Sequence, residues 1–147
     1  LQDPLRPSAN EMKGVRDIVV FRLGETYLLA AEACHLLGDN KKAAEYMNVI
    51  RKRAAIPGKE KEMEITADQI NIDFILDERA REMAGEFCRW YDLKRTGKLY
   101  ERMNNPDMNE IVAGKFQKYH VLRPIPRDKL ARISNPEDFP QNEGYGN

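Results

Sequence analysis

The chain has 147 residues, enough for a compact domain with its own hydrophobic core. Lys and Arg together number 24, as do Asp and Glu, so it lacks the basic excess with which nucleic-acid binders neutralise phosphates. Its longest apolar runs, such as Ile18-Val19-Val20-Phe21 and Tyr27-Leu28-Leu29-Ala30-Ala31, are too short to span a bilayer, and no signal peptide is visible.

Residues 1–17 carry Pro4, Pro7 and Gly14 without periodicity and read as an extended lead-in. The start at Leu1, in a Pro-containing polar segment, reads as a piece excised or processed from something longer. A helix is expected from about Ile18 to Leu37. Leu23, Tyr27, Ala30, Cys34 and Leu37 form its stripe, widened by Gly24, Leu28 and Ala31. Gly38 suits a helix C-terminus, and Asp39 or Asn40 can cap a second helix running to about Ala54. Ala43, Met47, Ile50 and Ala54 make the inner face of that helix, and Pro57-Gly58 ends it. Helices joined so closely lie antiparallel. Their small residues, with Leu37-Gly38-Asp39 and then Ala43, follow the order of a tetratricopeptide-like hairpin, which needs a neighbour to bury its second face.

After a charged linker from Lys59 to Glu64, Thr66 and Gln69 are spaced as a capping box for a third, long helix ending near Arg95-Thr96-Gly97. Its apolar face is Ile72, Ile75, Leu76, Met83, Ala84 and Phe87. Beyond Gly97 the helical signal weakens: Asn104-Asn105-Pro106-Asp107 is a turn, and Pro124 and Pro126 favour an extended segment from Tyr119 to Ile125. Arg127 to Ile133 allows a short helical turn. The rest is loop, and Phe139 and Tyr145 suggest that it docks on the body.

The stretch from Asp77 to Arg95 concentrates carboxylates, Arg and the only Trp. Glu78, Glu82 and Glu86 recur every four residues and could line one helix face as a metal or acid–base row. Arg79, Arg81 and Arg89 lie within a turn of them, so ion pairing is favoured, with Arg gripping carboxylates through its planar fork. Cys34 and Cys88 are read as two small buried hydrophobes, with a disulfide as the minority alternative. His35 is placed near the hairpin turn, and neither it nor His120 has ligand spacing. Trp90, Tyr91 and Tyr100 could stack on sugar rings, but core packing is favoured for Trp90; Tyr119, Phe139 and Tyr145 are looser candidates. No phosphate loop, nucleophile elbow or CxxC occurs. Hence no catalytic, cofactor-binding or metal set is expected, and no ligand-binding residue is assigned.

Four segments, taken in order, resemble the C-terminal region of the SusD/RagB family, surface glycan-binding lipoproteins of Bacteroidetes. They are Arg22-Leu23-Gly24-Glu25 through Ala33; Ala43-Ala44 with Asn48-Val49-Ile50-Arg51-Lys52-Arg53-Ala54; Asp77 to Arg95; and Leu122-Arg123-Pro124-Ile125-Pro126 with Gln141-Asn142-Glu143-Gly144-Tyr145. The resemblance implies an all-α fold of tetratricopeptide-like helical pairs plus irregular loops, with residues 18–147 as the family's C-terminal helical domain. It further implies a surface-exposed outer-membrane protein, held by a lipidated Cys that this chain lacks. The implied partner is a SusC-like TonB-dependent transporter, and the implied ligand an oligosaccharide or polysaccharide captured without breaking a bond. In the family much of the glycan site lies N-terminal to this region. From a different class, a tetratricopeptide-like scaffold for protein–protein interaction is the alternative.

Overall fold

The computed structural model of the protein describes residues 20–86 and 88–146. The lead-in expected over residues 1–17, Ile18 itself and Phe87 therefore lie outside the described residues, but residues 20–22 are not helical, so the first helix starts later than its expected beginning near Ile18, at Leu23. All regular elements among the described residues are helical, which agrees with the all-α expectation. The chain gathers into two compact units that divide between Ala84 and Gly85.

The first unit is built on helices α1 (Leu23–Leu36), α2 (Asn40–Ala54) and α3 (Ile72–Glu82). The α1–α2 hairpin forms as its spacing predicts. Gly38 ends α1, and the Asp39 side chain accepts from the backbone N–H of Lys42 at 2.9 Å, satisfying an otherwise orphan donor of α2. Ala31, Ala43 and Ala44 are buried where the helices meet, small enough for close approach. Leu28, Met47, Ile50, Ile75 and Leu76 fill the core with them, α3 supplying the neighbour that the hairpin needs.

Two details of the predicted stripes shift. On α1 the buried line runs through Leu28, Ala31 and Glu32, whereas Leu23 and Leu37 are exposed. Leu23 is the first helical residue and Leu37 the C-cap, so neither end of the predicted stripe has a turn packed beside it. On α2, Ala54 is likewise exposed at the last position.

The third helix is shorter than its periodicity suggests. The capping box is real, with the Thr66 N–H donating to Gln69 Oε1 at 3.0 Å, but it caps only a 3₁₀ turn over Ala67–Gln69. The N-cap of α3 is Asn71, whose side chain accepts from the Phe74 N–H at 2.9 Å. At the other end α3 stops at Glu82, and Gly85 takes φ +84°, a conformation that L side chains rarely adopt. The predicted long helix is thus two, and the Asp77–Arg95 stretch straddles the division between the units.

The second unit contains α4 (Arg89–Arg95), α5 (Leu99–Met103) and α6 (Arg127–Leu130) among turns. Its core is small: Leu93, Leu99 and Phe116 are buried, with Asp92 and Arg102 as buried charges. Asp92 accepts from Arg95 at 2.9 Å, and Asn104 ties the chain across itself by donating to the Phe116 carbonyl at 2.8 Å and accepting from the Gly114 N–H at 2.9 Å. The segment expected to be extended from Tyr119 is so only after Val121, because Lys118–Val121 forms a 3₁₀ turn.

Candidate functional site

The carboxylate row resolves into ion pairs rather than a metal or acid–base site. Glu78, 5% exposed, accepts from Arg51 of α2 at 2.6 Å and from Arg81 at 2.7 Å. Glu82 accepts from Arg22, ahead of α1, at 2.5 Å and from Arg53 of α2 at 2.6 Å. Arg79, 2% exposed, donates to Glu25 of α1 at 3.3 Å. Pairing was legible; its reach was not, since most partners come from the hairpin rather than from α3 itself. Glu86 lies beyond the end of α3, so the row stops at Glu82, and Arg89 belongs to α4 in the second unit.

Neighbouring residues complete this lock. Gly24 leaves room for the Arg22–Glu82 pair, since a Cβ there would lie 2.5 Å from Arg22 Nη1 and 2.7 Å from Glu82 Oε1. Arg51 also donates through Nε to the Met63 carbonyl at 2.7 Å. The Asn48 amide grips the Ile65 backbone in both directions, donating to its carbonyl and accepting from its N–H at 2.9 Å each. The α2–α3 connector, whose only regular elements are short 3₁₀ turns, is thereby pinned to α2.

Beside this groundwork is a concavity of about 420 Å³, lined by Leu23, Tyr27, Val49 and Ile50 with Arg22 and Arg53 at its edge.

In the second unit the aromatic candidates converge. Trp90 is half-buried, edge-on to Phe116 at 6.1 Å and covered by the Arg123 guanidinium at 5.0 Å, which fits the favoured packing role. Phe116 leads on to Tyr100 at 6.5 Å and His120 at 5.3 Å, and Tyr119 meets Tyr145 edge-on at 5.2 Å. Tyr91 and Phe139 are exposed and take no part in this chain of rings, so the tail docks through Tyr145 and not through Phe139.

Three side chains fasten that tail. Gln141 donates to the Ile125 carbonyl at 2.9 Å and accepts from its N–H at 2.8 Å; Asn142 donates to the Arg123 carbonyl at 2.7 Å. The Tyr145 hydroxyl donates to the Leu122 carbonyl at 2.8 Å. The two halves of the fourth sequence segment, far apart in the chain, are therefore one clamp.

The clamp frames an open cleft of about 720 Å³ whose lining includes Tyr100, Gln117, Lys118, Tyr119, Glu143 and Gly144. Sequence reading had singled out the tyrosines but not Gln117, Lys118 or Glu143, which carry no motif and meet only through the clamp. His35 is held by Asn40, Nδ1 to Oδ1 at 2.7 Å, beside the hairpin turn as expected. Cys34 and Cys88 do not form a disulfide with each other, and both are half-buried rather than buried. Among the described residues, no group of His, Cys, Asp and Glu is arranged to hold a metal ion, and no helix is long and apolar enough to cross a membrane.

A helical hairpin locked by Arg–Glu pairs to a third helix, followed by a loop-rich unit with a clamped tail, defines an all-helical scaffold that carries an aromatic-lined cleft. The model of the SusD family matches residues 6–145, and the chain belongs to that family. Over 137 residues it is 36% identical to SusD-like protein P25 of Formosa agariphila, covering 86% of this chain and 24% of that protein. SusD-like protein P2 of the same organism is 31% identical over 141 residues, 92% of this chain and 27% of that protein. Starch-binding protein SusD of Bacteroides thetaiotaomicron is 34% identical over 135 residues, 88% of this chain and 22% of that protein. The chain thus spans about a quarter of the length of these relatives. No solved structure gave a significant match.

Proposed function

We propose that the protein is a non-catalytic, nutrient-binding component of a glycan uptake system at the outer membrane. In this reading the full-length protein is lipid-anchored and surface-exposed, and it passes oligosaccharide to a SusC-like TonB-dependent transporter. The observation that carries it is membership of the SusD family across residues 6–145, alongside a relative named as starch-binding.

Affinity gels containing amylopectin, xylan or galactomannan test the ligand class with the full-length protein. Retardation by at least one is expected, and unaltered migration on all three together with a blank glycan array overturns the reading. Co-purification of a barrel transporter from detergent-solubilised outer membranes tests the partner separately.

A second reading, a tetratricopeptide-like scaffold that binds a protein segment, draws on the apolar groove between α1 and α2. The residues upstream of this chain discriminate the two. A signal peptide ending in a lipidation Cys favours glycan uptake, and further helical repeats with a cytoplasmic start favour the scaffold.

A further inference from the structure

We infer that the cleft framed by Tyr100, Tyr119 and the clamped tail is a saccharide subsite contributed by this C-terminal region. The inference rests on the glycan-uptake reading and adds to it a location and a set of residues. Tyr100 and Tyr119 are 39% and 37% exposed, so each ring is anchored in the unit yet presents surface to the opening. An aromatic ring has a negative face and suits the polarised C–H surface of a pyranose.

The polar lining fits the same ligand. Lys118 and Glu143, both exposed, line the cleft with side chains that have no hydrogen-bond or ion-pair partner among the described residues, so each is available to a ligand. An ammonium offers only donors and a carboxylate only acceptors. A sugar hydroxyl donates and accepts, so hydroxyls of one saccharide chain can meet both groups. Their formal charges sum to zero, as suits a neutral ligand.

The site is also built in advance. Gly144, at φ +85°, lies so close to Tyr119 that a Cβ would fall 2.3 Å from the ring's Cγ. That contact, with Tyr145 against the ring edge and the Gln141 and Asn142 bonds behind it, fixes Tyr119 and the backbone at Glu143 before any ligand arrives. Ordering costs on binding are correspondingly small. The cleft is open rather than enclosed, which suits a sugar within a longer chain.

The test uses the full-length protein and whichever of amylopectin, xylan and galactomannan retards it in affinity gels, followed by calorimetry. Tyr100→Ala, and Lys118→Met combined with Glu143→Gln, are compared with Tyr91→Ala, an exposed tyrosine of the same unit outside the cleft. Weakening of Kd by about ten-fold for Tyr100→Ala, and about three-fold or more for the double variant, is expected against an unchanged Tyr91→Ala. Near-UV circular dichroism and melting curves confirm that each variant is folded. Wild-type binding that Tyr100→Ala and the double variant leave intact overturns the subsite while the glycan reading stands. Failure of the wild type to bind any of the polysaccharides, or any sugar on an array, overturns both.

Discussion

Replacing Arg51 with Ala removes three contacts at once, and the structure allows the cost to be worked out. Arg51 is largely buried, bonds Glu78 at 2.6 Å and the Met63 carbonyl at 2.7 Å, and lies over the Phe74 ring at 5.6 Å. Stripping a buried carboxylate of its partner costs about 3–5 kcal/mol, but Glu78 keeps Arg81, so roughly 2 kcal/mol is the better figure for that loss. The Met63 carbonyl adds about 1 kcal/mol for its lost donor. The total of about 3 kcal/mol corresponds to a fall in Tm of roughly 10 °C for a chain of this size. Arg81→Ala breaks a bond of similar length to the same carboxylate, yet Arg81 is largely exposed, so it costs at most about 1 kcal/mol. Thermal and urea unfolding followed by circular dichroism compares the two. In a Glu78→Gln background the cost of Arg51→Ala falls, giving a coupling energy of about 1–2 kcal/mol. Equal, small shifts for Arg51→Ala and Arg81→Ala would refute the reasoning, because they would mean that burial does not set the strength of these pairs.

Asn48→Ala frees both the N–H and the carbonyl of Ile65, and is expected to cost about 1–3 kcal/mol in urea unfolding; Asn48→Asp restores only the acceptor and rescues little. Gly144→Ala drives a Cβ into the Tyr119 ring, so faster amide exchange is expected at Ile125, whose N–H is protected by Gln141 of the tail. The Thr66 hydroxyl holds the Asp68 carboxyl below the usual carboxylate range. A folded-state pKa that is depressed contributes stability above the unfolded value and loses it as pH falls through the folded one, so the effect fades on acidification. Thr66→Val is expected to raise the Asp68 pKa toward its ordinary value, read by NMR titration, and an unmoved titration curve refutes that assignment.

The hairpin was readable because its determinants are local: Gly38, Asp39 and Ala43 act within a few residues of one another, and each does what its spacing implies. The break in the third helix was not. Gly85 lies between helix formers, and periodicity carries no sign of a positive φ. Asn71 escaped notice because Thr66 and Gln69 offered an earlier and formally better cap. Glu78 and Glu82 could be read as ion-paired from the Arg density around them. That Arg51, Arg53 and Arg22 would be the partners depends on contacts 27 to 60 residues away, which no local pattern encodes. The cleft was half legible: the tyrosines announced themselves by type, while Lys118 and Glu143 have meaning only once Gln141 and Asn142 draw the tail onto residues 123–125.

Glu82 bonds Arg22 and Arg53 together, and so joins both arms of the hairpin to the end of α3. The surface that the hairpin offers to α3 is therefore lined with guanidinium groups as well as apolar side chains. The same face also carries Glu25, which receives Arg79 of α3, so the hairpin presents charges of both signs to that helix. Arg22, Arg51 and Arg53 meet two carboxylates there, Glu78 taking Arg51 and Glu82 being shared between the other two. An apolar seam could offer the same adhesion, but not the same register, because a helix slid by one turn would leave these charges without partners.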